Sequence, residues 1–305
     1  MKSAIVAGAS GFIGRHLVRE LVNNGVRVLA LERLGEESST TDVPAVGFEL
    51  SSVGKLLSTW REAPGLYDTF YNLAWQGSAG DVRSDADLQL ANAQWSIDLL
   101  RFAKEIGCTR YVGAGSIMEH ETIAETLMQG HRPGAAHIYS DAKLVAHLMG
   151  KSVAARIDID FLWAEITNVF GPGELSPRFI NMTLRKMANG QPLQFTAAMQ
   201  LYDFIYIDDA AAALRLIGER GKPFCEYLIG SGNAKPLRAF IEEMGRVFAP
   251  EARLEFGGVA YSGISLTPEA YSTTQLENDT GFRCGTSFED GLRLTMKWLE
   301  EENRI

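Results

Sequence analysis

Through the first 167 residues, short apolar runs alternate with amphipathic helical stretches, and this alternation restricts the chain more than any other feature. Strands that feed helices in turn form a parallel sheet with crossover helices on both faces. The strand candidates are SAIVAG (3–8), VRVLAL (26–31), AVGFEL (45–50), DTFYNLA (68–74), RYVGAGS (110–116) and IDIDFLWAEIT (157–167). Several are nearly unbroken in apolar residues, as strands covered on both sides are. Between them, RHLVRELVNNG carries Leu17, Val18, Leu21 and Val22 on one helical stripe and stops at Gly25. ANAQWSIDLLRFAKEIG repeats the design, with Trp95, Leu99, Phe102 and Ile106 on one face and Gly107 as the stop.

After residue 167 the chain changes to Gly/Pro-punctuated segments such as NVFGPGELSP, NGQPLQF and GNAKPL. The expected fold class is therefore α/β: a Rossmann-type doubly wound parallel sheet over residues 1–167, with a smaller, more irregular α+β lobe formed mainly by 168–305. YDFIYIDDAAAALRLIGE (202–219) reads as a strand and a helix, so that 202–230 returns to the first domain.

A chain of 305 residues, 46% hydrophobic and 22% charged, can bury its own core without disulfides or metals. Its net charge of -9 argues against binding a nucleic-acid backbone, which requires a basic footprint. Cys108, Cys225 and Cys284 are odd in number and far apart, and read as reduced thiols in a cytoplasmic protein. His16, His120, His131, His137 and His147 show no metal-ligand spacing; they are assigned surface or packing roles, and no metal is expected. The N-terminal MKSAIVAGAS is broken at once by glycines, which makes it a poor signal sequence, and no stretch reaches membrane-spanning length.

GASGFIG places Gly8, Gly11 and Gly14, with Phe12 and Ile13 between, directly after the first strand and at the start of the first helix. Glycines there permit a tight turn, close approach of a pyrophosphate and close packing of helix on strand. The end of the second strand offers both Glu32, suited to ribose hydroxyls, and Arg33, suited to a 2'-phosphate. The expected cofactor is accordingly NAD or NADP, with the terminal position of Glu32 favouring NAD. Glu49, followed by Leu50, is placed to reach the adenine amino group. HIYSDAK holds Tyr139 and Lys143 four residues apart, on one face of any helix they share. By itself that spacing decides nothing.

Taken together, GASGFIGRHL, YNLAW, ANAQWSIDLLRFAKEIGCTRYVGAGS, YSDAK, NVFGPGE, YDFIYIDD and GFRCGTSFEDGLRLTMKWL resemble the extended short-chain dehydrogenase/reductase superfamily, in its nucleotide-sugar epimerase, dehydratase and ketoreductase branch. The resemblance covers nearly the whole chain. It implies that Tyr139 is the general acid/base, that Lys143 lowers its pKa and binds the nicotinamide ribose, and that Ser116 hydrogen-bonds the reacting oxygen. Leu73 and Ala74 would line the cofactor beside Asn72, where the family usually has histidine. Asn92 would stand near the cofactor or the catalytic groups, with a buried structural role as its alternative. On the substrate side, Asn168 matches the family, and Arg178 is a candidate cation, as are Arg185, Lys186 and Arg283. Glu165 and Tyr202 stand where relatives commonly carry arginine.

A dehydratase would also need an Asp-Glu pair directly after the serine, and IMEH does not supply one. The implied activity is NAD(P)-dependent oxidoreduction of a nucleotide-linked hexose at C4, with a 4-keto-6-deoxyhexose reductase placed ahead of a 4-epimerase holding NAD tightly. A catalytically silent cofactor sensor and a reductase of non-nucleotide carbonyls are the remaining alternatives. A homodimer built on the 92–106 and 138–155 helices is the family expectation.

Overall fold

The computed structural model describes residues 1–35, 43–61, 65–130, 132–135, 137–260, 263–302 and 304; His131 lies outside them. The first part contains β1 (Ser3–Ala7), α1 (Phe12–Asn23), β2 (Arg27–Arg33), β3 (Ala45–Phe48), α2 (Val53–Thr59), β4 (Thr69–Asn72), α3 (Ala86–Glu105), β5 (Arg110–Ser116), α4 (Met118–Glu125), α5 (His137–Ile157) and β6 (Asp160–Ile166). The rest contains β7 (Asn168–Phe170), α6 (Phe179–Ala188), β8 (Leu193–Phe195), β9 (Leu201–Tyr202), β10 (Phe204–Tyr206), α7 (Ile207–Arg220), β11 (Glu226–Ile229), β12 (Lys235–Pro236), α8 (Leu237–Phe248), β13 (Leu254–Phe256), α9 (Thr274–Thr280) and α10 (Phe288–Glu301).

Seven strands form one sheet in the order β11-β6-β5-β4-β1-β2-β3, and every pairing in it is parallel. Strand order reverses between β1 and β4, which opens a crevice at their carboxyl ends, the place where doubly wound sheets bind ligands. α1 and α7 pack together on one face, and α3 and α5 on the other. The apolar stripe of α1 buries Leu17, Val18 and Leu21, whereas Val22 is half-exposed at its edge. Gly25 and Gly107 follow α1 and α3 with positive φ, the left-handed conformation that ends a helix without a Cβ clash.

Two strand expectations are corrected. The run 157–167 divides: α5 continues to Ile157, Asp158 turns the backbone left-handed at φ 58, and β6 begins only at Asp160. Aspartate tolerates that conformation better than a branched residue does. The strand expected to return at 202 also stays outside the large sheet. β10 pairs in parallel with β7, and the return to β6 is made by β11, after α7. Asp203, fully buried before β10, accepts from the Ser231 hydroxyl and from the Gly232 N–H, and so ties this turn to the segment after β11.

In the second part of the chain Phe204 packs against Phe170, Phe179, Phe240 and Phe288, and this aromatic group is continuous with the core between the sheet and α1 and α7. Among the described residues no helix is long and apolar enough to cross a membrane.

Candidate functional site

The crevice over β1 and β4 is floored by the glycine turn. Gly8 has φ 80, and a Cβ on it would lie 2.8 Å from the Ala74 nitrogen. A Cβ on Gly14 would lie 2.1 Å from the Gly8 carbonyl oxygen, so α1 can seat on β1 only with glycine there. Gly11 caps α1, whose first N–H groups face the crevice without side-chain competition. A cradle that a single Cβ would fill, at the positive end of a helix, fits the pyrophosphate of a dinucleotide.

One hollow along this edge, beyond β2, is lined by Gly8, Gly11, Arg33, Glu49, Leu50, Leu73 and Ala74, and suits an adenosine. Glu32 does not line it. Glu32 is 5% exposed within the β2 pairing to β3, while Arg33, on the opposite side of the strand, is on the wall. Of the two side chains at the end of β2, Arg33 is the one on this wall.

The second hollow, of about 370 Å³, is lined by Gly11, Phe12, Ile13, Gly14, Ser116, Tyr139, Lys143 and Arg178 among others. Ser116 ends β5 at the carboxyl edge of the sheet, and α5 presents Tyr139 and Lys143 one turn apart. Lys143 donates to the Ala114 carbonyl at 2.8 Å and lies 3.8 Å above the Trp75 ring. Burial pushes its ammonium down to about 7, opposed by the Glu119 charge. Burial likewise pushes the Tyr139 phenol up, while Arg83 and Arg178 pull it down. The Ser116 hydroxyl also favours the ionised phenol.

Arg83 was not singled out in the sequence. It comes from a short turn before α3, places its guanidinium 4.3 Å above the Tyr139 ring and leaves its buried Nε unpaired. With Arg178, Asn168 and Tyr202 it lines a third hollow, which shares Ser78, Val169, Glu174 and Arg178 with the second. Arg178 pairs with Glu174 at 3.2 Å, and Asn168 donates to the Asp203 carbonyl at 3.1 Å.

Asn92 bonds to backbone on α3 and in the loop after β4. It is 1% exposed, accepts from the Gln76 N–H and donates to the Gln76 and Leu88 carbonyls, so it holds the loop carrying Trp75. Asn72 donates to the Tyr111 hydroxyl and accepts from the Ala74 N–H. Glu165 is buried and pairs with His120 at 2.9 Å. His16 is buried too, bonded to Asp208 at 2.7 Å, and His147 is 3% exposed between two carboxylates. The histidine assignment gives way at His120 and His147 to specific ion-pairing positions, while buried His16 and His137 each sit beside a carboxylate, Asp208 and Glu125.

The profile of the NAD dependent epimerase/dehydratase family matches residues 4–230. The chain belongs to that family. Its match ends just after β11, the last strand of the large sheet. CDP-abequose synthase of Salmonella muenchen is 21% identical to this family member over 97% of its chain and 98% of the relative. The Bordetella bronchiseptica enzyme WbmF, solved with NADH, superposes with a TM-score of 0.79 at 20% identity, covering 99% and 93% of the two chains. UDP-glucose 4-epimerase of Thermotoga maritima, solved with UDP-glucose, gives 0.79 at 17% identity over 99% of both. The protein is an NAD(P)-dependent enzyme of the extended short-chain dehydrogenase/reductase type. When bound, the nicotinamide dinucleotide supplies a hydride donor or acceptor.

Proposed function

We propose that the protein is a nucleotide-sugar oxidoreductase acting at hexose C4, and specifically a reductase of a 4-keto-6-deoxyhexose. The observation that carries this reading is the convergence of Ser116, Tyr139 and Lys143 beside the glycine cradle, in a hollow continuous with one holding two arginines. Tyr139 would give its proton to the carbonyl oxygen as an alcohol forms, with Ser116 aligning that oxygen and Lys143 holding the ribose and favouring the phenolate left behind. Dehydration finds no support at the serine turn. Ile117 and Met118 follow Ser116, and Glu119 is 0% exposed with its oxygens bonded to the Ser116 N–H and the Trp163 indole. Epimerisation at C4 with tightly held NAD is the second reading, favoured by the likeness to the Thermotoga enzyme.

Arg83 and Arg178 would take over the diphosphate charge that Tyr202 cannot meet. Arg83→Ala is expected to raise KM for the nucleotide sugar about tenfold to a hundredfold. Cofactor affinity, read by fluorescence titration, should stay the same. An unchanged KM would remove Arg83 from the substrate site. The proposed homodimer has its support in Leu90, Val145, Leu148 and Met149, which α3 and α5 leave exposed.

The function itself is tested by identifying any nucleotide retained on purification, then following NADH and NADPH absorbance against nucleotide-linked 4-keto sugars. Stoichiometric oxidation of added NADH or NADPH is the expected result. Interconversion of C4 epimers with no net absorbance change would replace reductase by epimerase.

A further inference from the structure

The catalytic face of α5 does not end at Lys143. His147 and Lys151 follow Tyr139 and Lys143 at the same four-residue interval, and they enter a row of alternating charges that runs from beneath the catalytic serine to the surface. Glu119, from the first turn of α4, accepts the Ser116 N–H at 2.8 Å and pairs with His147 Nδ1 at 3.0 Å. His147 Nε2 lies 3.3 Å from Glu226 of β11, and Glu226 is 2.7 Å from Lys151. The imidazole is stacked on Trp163 at 4.8 Å and 11°, and that indole donates to Glu119 as well. The alternate glycines of β5 are what admit this arrangement. A Cβ on Gly113 would lie 2.3 Å from the Trp163 ring, and one on Gly115 would lie 2.2 Å from its Nε1 and 2.6 Å from Glu119 Oε1.

Glu119 has two neutral donors, the Ser116 amide and the Trp163 indole. The third partner is ionisable. Burial lowers the His147 imidazolium, but its bond to Glu119 and the nearby Glu226 carboxylate outweigh that and lift it to about 9. The charged groups facing it are Glu119 from α4, Glu226 from β11, Lys151 from α5 and Glu165 of β6, the last itself paired with His120. The Glu119 charge in turn reaches Tyr139 and Lys143 and raises both.

We propose that His147 is a positioning residue for the acid/base chemistry: it neutralises Glu119 beneath the Ser116 turn, so that Tyr139 ionises over a balanced floor. The proposal rests on Tyr139 being the proton-transfer group, and on no particular sugar. With a neutral side chain at 147, the Glu119 charge that raises the Tyr139 phenol loses its cationic partner.

The test needs no sugar substrate. Tyrosinate difference absorbance, in the NAD+ complex and referenced to Tyr139→Phe, is followed against pH. His147→Gln should move the Tyr139 titration upward by about one pH unit. His147→Lys, which keeps a cation, should return at least half of that shift. Glu226→Gln, a change at the exposed end of the row, should shift it the same way by less, and serves if His147→Gln does not fold. A Tyr139 titration unmoved by these changes, even with a lowered Tm, overturns the proposal. Absence of any Tyr139 signal in the unmodified protein would overturn the acid/base reading itself, and this proposal with it.

Discussion

Tyr139→Phe is expected to lower turnover about a thousandfold, the range for loss of a positioned general acid, with nicotinamide dinucleotide affinity within a factor of about two of the unmodified protein. The substitution removes one hydroxyl and keeps the ring. Arg83 therefore retains its face contact and Trp75 its edge contact at 5.9 Å, which makes a fold-based explanation of the loss difficult. The cofactor cradle is untouched, because Gly8, Gly11 and Gly14 come from a different turn. Steady-state kinetics paired with a fluorescence titration of the cofactor separates the two quantities. The pH profile adds a third reading. Burial raises the phenol and the two arginines lower it, so the limb that follows its ionisation should vanish in the variant. Turnover retained within about tenfold would mean that another group moves the proton.

What the sequence could show followed from whether partners lie close along the chain. The glycine turn, and Tyr139 with Lys143, are arranged within one turn or one helix, so the sequence shows them as neighbours, although only the blocks around them gave the Tyr139–Lys143 spacing a meaning. The large sheet was legible for the same reason, since each strand hands the chain to the next helix. β10 was not, because FIY is as apolar as a central strand and nothing in it marks Asp203 as the residue that fastens it to the Ser231 turn. Arg83 escaped notice because it lies in a short turn with no periodicity, and only the fold stacks it on Tyr139. Asn92 and Glu32 were visible, but residue type could not say which way they face. His147 stands at the catalytic spacing in the sequence, yet Glu119 and Glu226, which give it meaning, arrive from α4 and β11.

The glycine cradle permits an equally large and separable effect, because its constraint is steric. In Gly14→Ala the new methyl would stand 2.1 Å from the Gly8 carbonyl oxygen and 2.9 Å from the Ala9 Cα. Those atoms are backbone, so no rotamer change can relieve the overlap; either α1 lifts from β1 or the turn opens. Both movements displace the helix terminus from where the phosphates would bind. Cofactor affinity should fall at least about a hundredfold, with a stability loss of roughly 1–3 kcal/mol, as overpacking costs. Gly54→Ala is the matching control. That glycine lies within α2 with no neighbouring atom inside 4 Å of its would-be Cβ, and alanine favours a helix by about 1 kcal/mol over glycine. Calorimetry and cofactor titration on the two variants should therefore diverge in sign for stability. In affinity, only the cradle variant should change. Retention of cofactor binding by Gly14→Ala would mean that the phosphates do not sit on this turn, and the catalytic geometry built from it would lose its cofactor anchor.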